Sequence, residues 1–133
     1  MKVLFVCEGN IMRSQMGEAF YNAITGSSDA TSSGAAANSG QTVPEAVVDA
    51  MREKGISMEG MVSKRLTQEM VDEADVVVAF PTPYMPKSLL DDPKTLKWDV
   101  SDPYYMPDDG MDYVSRARDR IEKRVKKELI SKD

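Results

Sequence analysis

Histidine is absent from the 133 residues, and cysteine occurs once, at Cys7. The first absence removes Cys-His and Ser-His-Asp catalysis, and the two together remove the common zinc sites, which draw on several Cys and His ligands. General acid or base work therefore falls to a carboxylate. One cysteine cannot close an internal disulfide, which fits a reducing compartment. No apolar run approaches membrane-spanning length, and Met1-Lys2 leads into a short apolar stretch without a signal-peptide core, so a cytoplasmic protein is expected. Excess positive charge is missing too: the formal net charge is −5, which leaves nucleic-acid binding without electrostatic support at the level of the whole chain. The basic run from Arg116 to Lys127 is interleaved with Asp119 and Glu122 on a helical pattern and reads as a solvated face.

What is present is ordinary for a globular protein: 41% hydrophobic and 29% charged residues, enough for one domain over residues 1–133 with a real core. Acidic pairs are common, but Asp91-Asp92, Asp108-Asp109 and Asp112 have no calcium-loop spacing and read as turn and cap residues. We expect no metal and no cofactor.

The one cysteine sits where a strand hands over to a helix. Val3-Leu4-Phe5-Val6 is a short apolar run typical of a buried strand; Gly9-Asn10 breaks it, and a helical pattern begins near Ser14. A loop that short, closing on a helix N-terminus, turns several backbone N–H groups toward one point and makes an anion site. Gly9 and Asn10 are residue types that take left-handed backbone angles, which such a loop needs. Arg13 adds a planar cation matched to two oxygens of a tetrahedral oxyanion. The same positive surroundings favour the thiolate of Cys7, a nucleophile facing bound phosphate. An Arg at this distance from a Cys arises by chance about one time in twenty, so the spacing alone is weak. A buried strand-end thiol and a surface cation are the competing explanation, but they leave the Gly-Asn turn beside both residues unexplained.

Along the rest of the chain, Met16, Ala19, Phe20, Ala23 and Ile24 recur at helical spacing with Gly26 as the stop. Ala30–Ser33 reads as a second strand. Residues 34–40 form a small-residue ordered loop, and Thr42-Val43-Pro44-Glu45 resembles a capping box opening a helix that Gly55 closes. Thr67 caps a short helix through Glu73, with Leu66 and Val71 as a staple. Asp75–Phe80 is a β-branched strand; Pro81, Pro83 and Pro86 then allow at most a short helix to Leu90, and Thr95–Val100 is the fourth strand. Val114, Ala117, Ile121, Val125 and Leu129 mark a long C-terminal helix. This alternation predicts an α/β fold, a single three-layer domain with a four-stranded parallel sheet, helices on both faces and a phosphate-binding loop after the first strand. Ligands in such folds lie at the carboxyl ends of the strands, where Cys7 and Asp102 both fall. Asp102 follows a strand and precedes Pro103, which stiffens the loop around a candidate general acid.

Cys7-Glu8-Gly9-Asn10-Ile11-Met12-Arg13-Ser14 near the start and Asp102-Pro103-Tyr104-Tyr105 near the end, with the element order between, resemble the low-molecular-weight protein tyrosine phosphatase family, which shares its fold with thioredoxin-coupled arsenate reductases. The resemblance covers essentially the whole chain. It implies Cys7 as nucleophile, Arg13 as phosphate clamp, Asp102 as general acid, and Asn10 and Ser14 as supports of the loop, with the backbone from Glu8 to Arg13 completing the cradle. It also implies a phosphotyrosine protein or small aryl phosphate as substrate and inorganic phosphate as product. Two departures stand out. The family's usual second loop cysteine is Met12 here, so the regulatory disulfide of some members cannot form, and Ala37 occupies the place of an aromatic residue expected to wall the cleft beside Asn38. Tyr104 and Tyr105 would supply the remaining wall. Glu8, beside the pocket, should disfavour strongly acidic substrates. The alternatives are an arsenate reductase that borrows an external small thiol, since no further cysteine exists in the chain, and a phosphate or phosphoprotein binder without turnover.

Overall fold

The computed structural model describes residues 1–100 and 111–130. The elements run β1 (Val3–Cys7), α1 (Arg13–Thr25), β2 (Ala30–Gly34), α2 (Glu45–Arg52), α3 (Gln68–Glu73), β3 (Val76–Ala79), α4 (Lys87–Leu90), β4 (Thr95–Lys97) and α5 (Met111–Arg124), the last continued by a π-helical turn over Val125–Leu129. The four strands pair parallel in the order β2-β1-β3-β4. All five residues of β1 are buried, as a central strand covered on both faces requires.

Alternate residues of β1 face two cores. Val3, Phe5 and Cys7 pack with Met16 and Phe20 of α1, Val47 and Met51 of α2, and Ile121 and Val125 of the C-terminal helix. Leu4 and Val6 pack with Val71 of α3 and Leu89 of α4. The expected three layers are therefore present. Trp98 joins the sheet to the first core, with the rings of Phe5 and Phe80 each 6.0 Å from its centroid and edge-on. Among the described residues no helix is long and apolar enough to cross a membrane.

Several local expectations hold. Gly26 ends α1 with φ of 63°, Thr67 Oγ1 accepts from the N–H of Met70, and Asp92 Oδ1 accepts from the N–H of Lys94 in a turn. Others need correction. The helix after Pro44 has no side-chain cap; Thr42 instead pairs with Val62 in an isolated antiparallel bridge, which draws it away from the helix. The stripe of α1 is shorter than its periodicity suggested: Ala23 and Ile24 are exposed, while Gly17 and Tyr21 are buried, because the helix outruns the sheet at its C-terminal end. The basic face of α5 is not wholly solvated. Arg118 is buried, donating to the carbonyl of Ala50 at 2.8 Å and pairing with Glu53 and Asp119, so it ties α5 to the end of α2.

Candidate active site

Strand order places a topological switch between β1 and β3, since the chain leaves β1 toward β2 and later crosses to the other side. The crevice at the carboxyl ends of those two strands is the expected ligand position in such a sheet. Cys7 ends β1 there, buried, and the loop after it closes on α1.

Asn10 organises that loop. It has φ of 55°, the one positive-φ non-glycine among the described residues, and is fully buried. Asn tolerates this left-handed angle better than most side chains, and it is Asn10, not Gly9, that adopts it. Its Nδ2 donates to Ser14 Oγ at 2.7 Å, and its Oδ1 accepts from the backbone N–H of Lys64 at 2.8 Å. Because Ser14 Oγ already accepts from Asn10, its own proton is free to point at Cys7 Sγ, 2.9 Å away. The N–H of Asn10 also reaches Sγ at 3.3 Å. The Ser14 hydroxyl and the Asn10 N–H thus converge on the same sulfur.

Arg13, the first residue of α1, is buried; it donates from Nη1 to the carbonyl of Val100 at 3.0 Å and lies 5.6 Å over the ring of Phe80. The guanidinium is thus oriented by groups beyond the carboxyl ends of β3 and β4. Met12, at the N-cap, supplies no side-chain acceptor, so nothing at that position competes with an anion for the first-turn N–H groups. Glu8 is half-buried, and its Oε1 accepts from Thr82 Oγ1 at 3.2 Å. Ile11 is half-buried against the first core.

The scaffold behind the loop was largely invisible in the sequence. Gln15, completely buried on α1, donates from Nε2 to the carbonyls of Asn10 (3.2 Å) and Val62 (2.9 Å). The one signal was a polar residue at the i−4 position to Ala19 on an apolar face. Gly34 ends β2 so close to the loop that a Cβ there would lie 2.7 Å from the carbonyl oxygen of Glu8 and 2.8 Å from the nitrogen of Asn10. The N–H groups of Ala35 and Ala36 donate to the carbonyls of Cys7 and Glu8. Glu18 of α1 accepts from Ser32 Oγ at 2.8 Å and lies 3.9 Å from Lys64 Nζ. Burial raises its carboxyl above the usual 4.5, outweighing the Ser32 bond and the Lys64 charge, which lower it.

Of the cleft residues, Ala37 is 1% exposed and packs toward Gly34, so its side chain offers a substrate almost no surface; the backbone reason is the tight turn in which its N–H bonds the carbonyl of Gly34. Asn38 is exposed, its carbonyl accepting from Ser63. Asp102, Tyr104 and Tyr105 lie outside the described residues.

A parallel α/β sheet whose first strand delivers a sulfur to a tight loop closing on a helix N-terminus defines the class: an α/β domain with a cysteine-centred candidate oxyanion site. Residues 2–132 match the family described as low molecular weight phosphotyrosine protein phosphatase, and the chain belongs to that family. The Bacillus subtilis low molecular weight protein-tyrosine-phosphatase YfkJ is 33% identical over 86 residues, 59% of this chain and 55% of that protein. The protein-arginine-phosphatase of the same organism is 38% identical over 84 residues, with the same shares. The chain thus spans about half the length of the curated relatives it matches. Over the whole fold, a structure of a cysteine-to-serine mutant of the YwlE arginine phosphatase, with its active-site serine phosphorylated, superimposes with a TM-score of 0.78 at 26% identity, covering 97% of this chain and 98% of that one. These relatives bear phosphatase names, and neither the arsenate-reductase nor the non-catalytic alternative is favoured.

Proposed function

We propose that this chain is a phosphomonoesterase, a protein tyrosine phosphatase working in the cytoplasm on phosphotyrosine proteins or small aryl phosphates through a cysteinyl-phosphate intermediate. The observation that carries it is Cys7 Sγ held by the Ser14 hydroxyl at 2.9 Å and the Asn10 N–H at 3.3 Å. Binding phosphate needs amides and Arg13; only catalysis needs a nucleophilic sulfur beside them. In the first step the thiolate attacks phosphorus, the S–P bond forms as the P–O bond to the leaving group breaks, and Asp102 protonates the departing oxygen. In the second, Asp102 takes a proton from water, whose oxygen attacks phosphorus and expels the thiolate, releasing inorganic phosphate. Each time the sulfur is negative, Ser14 Oγ–H and Asn10 N–H are in place to receive it. Arg13 and the loop amides from Glu8 to Ser14 would hold the three non-bridging oxygens throughout. A relative whose active-site cysteine was replaced by serine, and which carries phosphate on that serine, supports transfer to a side chain at this kind of site.

The test pairs Cys7→Ser with Asp102→Asn on p-nitrophenyl phosphate, phenyl phosphate and a phosphoarginine peptide. Cys7→Ser should abolish turnover while phosphate still binds. Asp102→Asn should slow the poor leaving group far more than the good one, by about 10²-fold or more. Turnover surviving Cys7→Ser would refute the nucleophile, equal slowing would reassign the acid, and preference for phosphoarginine would replace the substrate class.

A further inference from the structure

Large apolar surface is left in water at few described positions: Met1, Ile24, Val62 and Tyr84, with Tyr84 the most exposed at 63%. Its place in the fold is what distinguishes it. The segment from Phe80 leaves β3 directly across the switch point from Cys7, and the N–H of Phe80 donates to the carbonyl of Val6 at 2.8 Å. Two residues later Thr82 Oγ1 donates to Oε1 of Glu8, the neighbour of Cys7, and Tyr84 N–H donates back to Thr82 Oγ1 at 3.2 Å. One hydroxyl therefore clamps the backbone of Tyr84 to the lip of the phosphate loop. A turn bond from the N–H of Met85 to the carbonyl of Thr82, the burial of Met85, and prolines at 81, 83 and 86 hold the same segment.

We propose that Tyr84 is a specificity-determining residue, the aromatic wall on which the ring of an aryl phosphate packs while its phosphoryl group sits in the loop after β1. This rests on the phosphatase function proposed above and deepens it. A ring wanted only for the core would be buried, as Phe5, Phe80 and Trp98 are. Here the backbone is anchored and the ring is left to solvent, so a flat ligand that covers it orders only the side-chain torsions of one tyrosine. Ala37, buried, cannot serve as that wall.

Calorimetric affinities for phenylphosphonate and methylphosphonate, which cannot be hydrolysed, separate the ring's contribution from that of the phosphate. Tyr84→Ala should weaken phenylphosphonate about three- to tenfold and leave methylphosphonate within twofold, and Tyr84→Phe should restore wild-type behaviour. In parallel, Tyr84→Ala should raise KM for p-nitrophenyl phosphate by the same factor at unchanged kcat. Ile24→Ala, on the helix end about 16 Å from Arg13, should change nothing. Equal affinities for phenylphosphonate in wild type and Tyr84→Ala, or an equal loss for both phosphonates, would overturn the assignment. A wild-type protein that binds phenylphosphonate in a Tyr84-dependent way but turns over no ester would instead overturn the proposed activity and leave the aromatic wall standing.

Discussion

Replacing Asn10 tests the loop at the point where most of its order converges. In Asn10→Ala the backbone must keep φ near 55° without the residue type that tolerates it, a cost of about 1–2 kcal/mol. The Lys64 N–H loses its 2.8 Å acceptor and the Ser14 hydroxyl its 2.7 Å donor, which together add about 1–3 kcal/mol. Asn10→Gly removes the same side chain but not the backbone freedom, so it should lie about 1–2 kcal/mol above Asn10→Ala in stability. For a chain of this length each kcal/mol moves Tm by about 4 °C, so thermal unfolding resolves the two variants. Without Asn10 Nδ2, Ser14 Oγ is no longer committed as an acceptor, and the hydrogen it offers sulfur loses its fixed direction. Phosphate affinity by calorimetry and kcat on p-nitrophenyl phosphate should therefore fall in both variants, kcat more than affinity. If Asn10→Gly matched wild type in Tm and kcat, the side chain would be a bystander. If Asn10→Ala equalled Asn10→Gly in stability, the backbone angle would carry no strain.

Two further outcomes concern the scaffold. A Cβ at Gly17 would lie 2.4 Å from Cδ1 of the buried Phe5 ring, so Gly17→Ala should cost about 1–3 kcal/mol by overpacking, partly offset by about 1 kcal/mol of helix propensity; a raised urea midpoint would mean that Phe5 moves aside freely. Glu18 is raised by burial, so the folded state holds that proton more tightly than the unfolded one. Its contribution therefore makes stability fall as pH climbs from the usual 4.5 through the folded value. Glu18→Gln removes this dependence, and Asp119, lowered chiefly by the hydrogen bond from Arg118, acts in the opposite sense in both proteins and cancels in the difference. Urea midpoints measured across that window should fall less steeply in Glu18→Gln, and parallel curves would refute the burial argument.

Legibility in the sequence followed the range of the interactions. Strand and helix order could be read because burial imposes a short period: the continuous apolar runs at Val3–Cys7 and Val76–Ala79, and the 3.6-residue stripe from Val114 to Leu129, are each visible within a short window of the chain. Cys7, Asn10, Arg13 and Ser14 were visible for the same reason, since a tight loop is a local object. Misreadings arose where a distant partner competed. Thr42 looked like a cap until Val62 paired with it, and Arg118 looked solvated until the end of α2 covered it.

By itself the sequence determined the parallel α/β architecture, the tight loop after the first strand and the exclusion of histidine-dependent chemistry, because each depends on residue types and near-neighbour spacing. Only the tertiary structure decided what holds that loop: Lys64 capping Asn10 across 54 positions, Gln15 reaching Val62, Gly34 making room for the loop backbone, and Thr82 fastening Tyr84 to Glu8. Those contacts join segments that lie near one another only after the sheet has paired, and no period along the chain announces them.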